Sequence, residues 1–252
     1  MNPPSPLAGR VTVILGGTGG IGSATAQLFA QAGARVTVVA SRDAAKARDL
    51  AATLAPVAGG HAGFAAAIDR SNELAALADA VRQSLGPAAI LVNSAGTTRA
   101  VPHADLEALD DETFDRILAV NTRGAFAAVR AFAPDLRAGG NGLVVNVSSI
   151  AATTAVGSSI AYCASKAGLD VMGACLARAL APAVRVMTVS PGVVDTDFVP
   201  GRDRAASEKL AATTPLKRLV SPEDVAEAIL ACATSLGFST GSIIQVDGGR
   251  HL

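Results

Sequence analysis

Tyr162 and Lys166 are the pair in this sequence best placed to move a proton. The residues around them read as a helix, Ala161–Leu180, and an i,i+4 spacing sends both side chains from one face into one site. A free tyrosine titrates at roughly 10, so its anion is scarce at neutral pH. A neighbouring positive charge favours the phenolate. Such a tyrosine can give up a proton in one direction of a reaction and take it back in the other. Ser149 lies upstream, just beyond a β-branched run at Leu143–Val147, and could donate to an oxygen on which charge develops. Each residue also has an ordinary structural role open to it. Tyr-x-x-x-Lys arises by chance as a surface pair, Lys166 could be solvated, and Ser149 could cap a loop.

A second cluster could hold a phosphate. Gly16-Gly17-Thr18-Gly19-Gly20-Ile21-Gly22 follows a run read as a strand, Val11–Leu15, and opens a segment read as a helix, Ile21–Ala32. Glycines there let the backbone approach a pyrophosphate, and a helix start offers N–H donors and the positive end of its dipole. Two registers fit: Gly17, Gly19 and Gly22 give G-x-G-x-x-G, while Gly16, Gly20 and Gly22 give the wider G-x-x-x-G-x-G. The loop alone does not choose between them. Without the Lys-Ser or Lys-Thr of a P-loop, a dinucleotide is the expected ligand. The end of the next strand, Val36–Ala40, selects which one. A carboxylate there would bind the adenosine ribose of NAD. This chain has Ser41-Arg42, a small hydroxyl beside a guanidinium that can fork onto a 2′-phosphate, so NADP(H) is expected. Asp43 could bind ribose but reads better as the N-cap of the following helix.

The elements that must position these groups alternate along the chain. Strands are expected at Val11–Leu15, Val36–Ala40, Gly63–Ile68, Ile90–Asn93, Leu143–Val147, Arg185–Ser190 and Ser242–Val246. Helices are expected at Ile21–Ala32, Ala44–Leu54, Glu73–Leu85, near Asp110–Arg137, at Ala161–Leu180 and at Pro222–Thr234. Near-continuous apolar strands separated by helices predict an α/β fold: one doubly wound, Rossmann-like parallel sheet of about seven strands with helices on both faces. No repeat or long linker divides the 252 residues, so one domain is expected, with Met1–Pro6 frayed.

Composition narrows the partners. Half the residues are apolar and 17% charged, enough for a large core. The formal net charge is zero, with no basic block, which argues against nucleic acid. Three dispersed cysteines (Cys163, Cys175, Cys232) and scattered histidines give no disulfide frame or zinc pattern, and fit a reducing cytosol. No signal peptide opens the chain. The longest uncharged stretch, Leu143–Ser165, is long enough for a membrane span but too rich in serine. It reads as a buried strand and an active-site loop.

From the glycine loop to the C-terminus, the chain resembles the short-chain dehydrogenase/reductase family, the branch of roughly 250 residues. The resemblance rests on the glycine loop, Ser149 and Tyr162-x-x-x-Lys166 together. Asn93-Ser94-Ala95-Gly96 resembles that family's Asn-Asn-Ala-Gly segment near the adenine side, with Ser94 replacing its second Asn. Asp69 matches the adenine-contacting Asp, followed by Arg70 where an apolar residue is common. Asn121 matches the helix Asn that supports the catalytic Lys through a water. Pro191-Gly192-Val193-Val194-Asp195-Thr196 resembles the stretch lining the nicotinamide, and Thr240-Gly241 and Val246-Asp247-Gly248-Gly249 the closing segment. Leu15 departs from the usual Thr, and Met187 from a common Asn.

The resemblance implies carbonyl reduction with hydride from NADPH. Tyr162 would supply the proton and Ser149 would hold the substrate oxygen. Lys166 would hold the ribose and lower the Tyr162 pKa, and Asn121 would relay protons, with no metal required. It implies that Gly16, Thr18, Gly19, Gly20, Ile21, Gly22, Ser41, Arg42, Asp69, Arg70, Asn93, Ala95, Gly96, Pro191, Gly192, Val194 and Thr196 bind the cofactor together with Tyr162 and Lys166. A homotetramer is expected, with a dimer second, through Ala161–Leu180 and the helix containing Asn121. Gly168, Gly173, Ala174 and Ala177 would permit close approach, and an almost uniformly apolar helix should be buried on most sides. Specificity should lie in Asp197–Lys217 and after Ser149. A free small or medium ketone or alcohol is favoured over a 3-oxoacyl carrier protein. An acidic carrier would need basic residues at the cleft mouth, where Arg137, Arg178, Arg202, Arg204, Lys209 and Lys217 are the candidates. A cofactor-binding regulator without turnover is the different-class alternative.

Overall fold

The computed structural model describes residues 5–196, 198–199 and 204–252, and for Arg204–Ser207 the backbone alone. Seven strands form one sheet in the order β3-β2-β1-β4-β5-β6-β7. They are β1 (Val11–Leu15), β2 (Arg35–Ala40), β3 (Ala62–Ala65), β4 (Ile90–Asn93), β5 (Gly142–Val147), β6 (Val184–Pro191) and β7 (Ile243–Val246). Every pairing is parallel, with Thr12 opposite both Val36 and Ile90. The order reverses between β1 and β4, and ligands of such sheets bind in the crevice outside the strand ends at that point.

Strand side chains alternate between two apolar cores because the strand period is two. Ile14, Val36, Val38, Ile90, Val92, Leu143 and Val145 face one core, with Phe29 of α1 (Gly20–Gln31), Ala47 of α2 (Ala44–Thr53) and Ile229 of α9 (Pro222–Thr234). Val13, Leu15, Val39, Leu91 and Val144 face the other, with Leu77 of α3 (Ser71–Leu85), Phe132 of α5 (Ala125–Ala138) and Leu180 of α7 (Ile160–Leu180). Helices therefore cover both faces. Phe29 and Phe132 are fully enclosed, one on each side. Truncating either to alanine should cost about 3–5 kcal/mol.

The element boundaries differ from expectation in a few places. β3 ends at Ala65, three residues early, because the chain then turns toward α3, where Glu73 accepts from the Ala67 N–H at 2.8 Å. The Asp110–Arg137 region is helical in several segments, as expected. It comprises α4 (Asp111–Leu118), a π-helical turn at Ala119–Gly124, and α5, which carries Pro134 inside it. Two helices were not expected, the short α6 (Ala151–Thr154) and α8 (Arg204–Thr213). Of the N-terminal stub, Met1–Pro4 lie outside the described residues. Leu7 is already buried, and its N–H donates to Ala32 O at 2.9 Å. α7 is long and apolar enough to cross a bilayer by length and composition. It packs on β6 and carries buried Lys166 and Asp170.

Candidate active site

A cleft of about 1140 Å³ opens along the C-terminal ends of β1, β4, β5 and β6. The glycine loop forms one wall, Ser149, Tyr162 and Lys166 another, and Pro191–Thr196 a third. The loop's geometry separates its two registers. Gly16 has φ +73°, and a Cβ there would lie 2.7 Å from Ala95 N. A Cβ on Gly22 would lie 2.2 Å from Gly16 O, and one on Gly20 2.6 Å from Thr196 Cγ2. Gly19 is less constrained, its nearest contact being 3.4 Å. The wider G-x-x-x-G-x-G spacing thus marks positions where a side chain would collide with its surroundings. Gly17 is also crowded, 2.9 Å from Ile14 O. α1 starts at this loop with no side chain capping it, so its first-turn N–H groups have no intrahelical acceptors. A glycine-rich cradle with backbone donors that lack intrahelical acceptors fits a dinucleotide pyrophosphate.

On the opposite wall, α7 starts at Ser159, whose Oγ accepts from the Tyr162 N–H at 3.2 Å. One turn further on, Lys166 is only 4% exposed, and its Nζ donates to Val147 O at 2.8 Å. Nζ also lies 5.8 Å from the centroid of the Tyr162 ring. Burial pushes the Lys166 pKa down to about 8, against the opposing charge of Asp170. Burial in turn raises the Asp170 carboxyl, which Ser148 and Lys166 oppose. Ser149 Oγ accepts from the Ala151 N–H at 3.2 Å, which leaves the hydroxyl proton available to a substrate oxygen. Phe198 tilts against Tyr162 with ring centroids 6.1 Å apart. Ala155 takes the left-handed conformation, φ 54°, in the loop whose neighbours Thr154 and Val156 line the cleft.

Asn121 sits in the π-helical turn, 1% exposed. Its Oδ1 accepts from Thr97 N at 2.8 Å, and its Nδ2 donates to Thr97 O and to Ser165 Oγ, both at 3.0 Å. Ser165 Oγ donates onward to Tyr162 O at 2.8 Å. The Asn121 side chain therefore ties the loop after β4 to the helix bearing Tyr162 and Lys166. Asn93 is also turned inward, donating to Asn146 Oδ1 at 2.9 Å, and it is not part of the cleft lining.

The remaining expected cofactor residues lie at the same edge of the sheet but outside the cleft lining. Ser41 and Arg42 follow β2 and are exposed. Asp43 caps α2, accepting from Lys46 N at 2.9 Å. Asp69 and Arg70 follow β3, with Arg70 3.6 Å from Glu73. Arg137 and Arg178 occupy the last turns of α5 and α7, just before β5 and β6 begin. They lie at the sheet edge opposite the cleft of their own chain, not at its mouth as expected. Arg202 and the Arg204 side chain fall outside what is described. The cleft lining also takes Leu210 and Thr213 from the segment expected to set specificity and Ser158 from the stretch after Ser149, and it adds Arg250, which was not expected.

A family model described as enoyl-(acyl carrier protein) reductase matches residues 16–251. The chain belongs to the short-chain dehydrogenase/reductase family. It is 39% identical, over 99% of its length and 98% of the relative's, to a Streptomyces violaceoruber protein provisionally named ketoacyl reductase 2 of the granaticin polyketide synthase. It is 36% identical to the D-threitol dehydrogenase of Mycolicibacterium smegmatis, over 96% of this chain and 93% of that one. A crystal structure from Brucella melitensis, described as a short-chain dehydrogenase/reductase of the glucose/ribitol dehydrogenase type, superposes with a TM-score of 0.91. That pair is 28% identical over 99% of this chain and 100% of the other. Short-chain dehydrogenases/reductases use a nicotinamide cofactor and act on alcohol or carbonyl groups of small molecules, so the chain is an oxidoreductase of that kind.

Proposed function

We propose that this oxidoreductase uses NADP(H) and reduces a ketone to an alcohol, with Tyr162, Lys166 and Ser149 as its catalytic residues. The observation that carries this reading is the convergence of those three side chains on one cleft with the glycine cradle. When bound, the nicotinamide would supply the hydride. The protein's part is proton transfer and positioning. Ser149 donates to the carbonyl oxygen, stabilising the charge that grows there. Tyr162 gives that oxygen a proton, and takes it back in alcohol oxidation. Lys166, when charged, favours the Tyr162 phenolate that remains. Asn121 acts by position, through Thr97 and Ser165. Tyr162→Phe should lower turnover by at least about a hundredfold with the cofactor still bound, measured by NADPH absorbance and by cofactor titration. Near-normal turnover would remove the mechanism.

The cofactor preference rests on Arg42, exposed beyond β2 with no acidic partner among the described residues, and on Asp43 being engaged as a cap. Arg42→Ala should weaken NADPH much more than NADH, because only NADPH offers a 2′-phosphate to the guanidinium. Equal weakening of both, in a fluorescence titration, would assign Arg42 a structural role.

A second reading, a 3-oxoacyl-[acyl-carrier-protein] reductase, is favoured by the description of the family model and by the ketoacyl reductase relative. Against it, Arg137 and Arg178 face away from the cleft, which leaves exposed Lys209 and Lys217 as described basic groups near α8. Comparing kcat/KM for a 3-oxoacyl group on carrier protein and on a short thioester separates the two. A carrier preference above about a hundredfold, near 2.7 kcal/mol, would favour the second reading. A cytoplasmic setting is supported by three cysteines that are all unpaired.

A further inference from the structure

We propose that the substrate carries a carboxylate, held by Arg250, in addition to the carbonyl or alcohol that reacts at Tyr162. This deepens the oxidoreductase reading and rests on it.

Four titratable side chains line the cleft among the described residues: Tyr162, Lys166, Asp195 and Arg250. Lys166 is enclosed and bonded to Val147 O. Asp195 is exposed next to Val194, which bridges to Val220. Arg250 is therefore the one accessible cation in the described lining. Much of the surrounding wall is apolar, formed by Ile150, Val156, Phe198, Val199 and Leu210.

Arg250 is half-buried as a residue and has no carboxylate partner among the described residues, whereas Arg70, Arg82, Arg99 and Arg218 each have one. Its Nη1 donates to Leu210 O at 3.3 Å and to Thr213 Oγ1 at 3.2 Å, which fixes it against α8. An arginine has five N–H donors, so the Nε and Nη2 donors remain for a ligand. A planar fork of that kind matches a carboxylate in a bidentate pair. A cation held partly out of water without a counter-ion is costly, and an arriving anion offsets that cost.

The position of Arg250 is built into the fold. Asp247, 4% exposed, accepts from Gly249 N at 2.9 Å and from His251 N at 2.8 Å, and His251 Nδ1 lies 2.7 Å from the same carboxylate. Gly248 and Gly249 take φ of +64° and +83°, which glycine adopts without strain. They pack against Thr214, Pro215 and Leu216. This turn aims the next side chain, Arg250, back under α8.

The test uses the full chain with NADPH and paired substrates: 5-oxohexanoate and 4-oxocyclohexanecarboxylate, each beside its methyl ester. The acid should exceed its ester in kcat/KM by at least about tenfold, as expected for a charge-assisted hydrogen-bonded pair, mainly through KM. Arg250→Met should bring the acid-to-ester ratio close to one, and Arg250→Lys should keep part of it. Because the wild-type ratio is itself decisive, a poorly folding variant would not leave the proposal untested. Esters turned over as well as acids by the wild type, or equal losses for acid and ester in Arg250→Met, would overturn the carboxylate and leave the oxidoreductase reading standing. No NADPH oxidation with any carbonyl in a broad screen would overturn both.

Discussion

Lys166 is held where its charge is costly, because its neighbours exclude water and its pKa falls to about 8 from 10.5. That shift has a definite sign for stability. Between the two values the unfolded chain binds more protons than the folded one, so folding is penalised below pH 8 and the penalty is relieved as pH rises toward 10.5. Lys166→Met removes the charge and keeps most of the volume. Asp170, already shifted toward its neutral form, can then take up a proton. The variant should be inactive yet at least as stable as the parent at pH 7 without cofactor, by up to roughly 3 kcal/mol. The difference should shrink between pH 8 and 10.5 in thermal unfolding. A gap that widens over that range would contradict the buried-charge account. The meeting of Tyr162, Lys166 and Ser149 in one cleft was legible in the sequence because helical spacing puts the first two on one face and Ser149 follows a strand end, read together with the glycine loop. Arg250 was not. It follows two glycines with no spacing partner, and only the folded tail brings it beside Leu210 and Thr213.

At the scale of elements, α9 begins with a capping box. Ser221 Oγ accepts from Asp224 N, Asp224 accepts from Ser221 N, and Arg218 forks onto the same carboxylate. The bond to Arg218, opposed by burial and aided by Ser221, holds the Asp224 carboxyl well below its usual range. Asp224→Ala should cost about 1–2 kcal/mol in urea unfolding at neutral pH. The contribution is fully present above the ordinary value of 3.8 and is lost as pH falls below it, so the gap between variant and parent should narrow in that acid range. An unchanged gap at pH 3 would show that the charge is not involved. Strands rich in β-branched residues, such as Val36–Ala40 and Leu143–Val147, were legible because burial on both faces demands such runs. β3 was harder, since Ala-Gly-Phe-Ala carries little strand preference and tertiary pairing with β2 decides it. The π-helical turn was not legible either. Ala-Val-Asn-Thr-Arg-Gly has no local signature for a wider turn, and the bonds of Asn121 to Thr97 and Ser165 are long-range. The two glycine registers could be separated only once Ala95 and Thr196 were seen against the loop.

For the whole molecule, α7 is less enclosed within one chain than its apolar composition implied. Val171 is 66% exposed, Ile160 and Cys175 are exposed with it, and Phe126 is exposed on neighbouring α5. An apolar face of this kind fits the expected homo-oligomer, with a tetramer favoured over a dimer. Val171→Asp should shift the protein to a smaller species in light scattering at micromolar concentration. A stable, active monomer in the parent would refute assembly through this face. The close approach of Gly16 to Ala95 also bears on the order in which the molecule is made. β1 is translated before both of its neighbours but lies between them in the sheet, with β2 on one side and β4 on the other. The glycine turn packs against a residue translated long after it, so it cannot take its final shape until Ala95 has emerged. A nascent chain stalled before that point should have no grip on a nucleotide, and one stalled soon after β4 has docked should begin to acquire it.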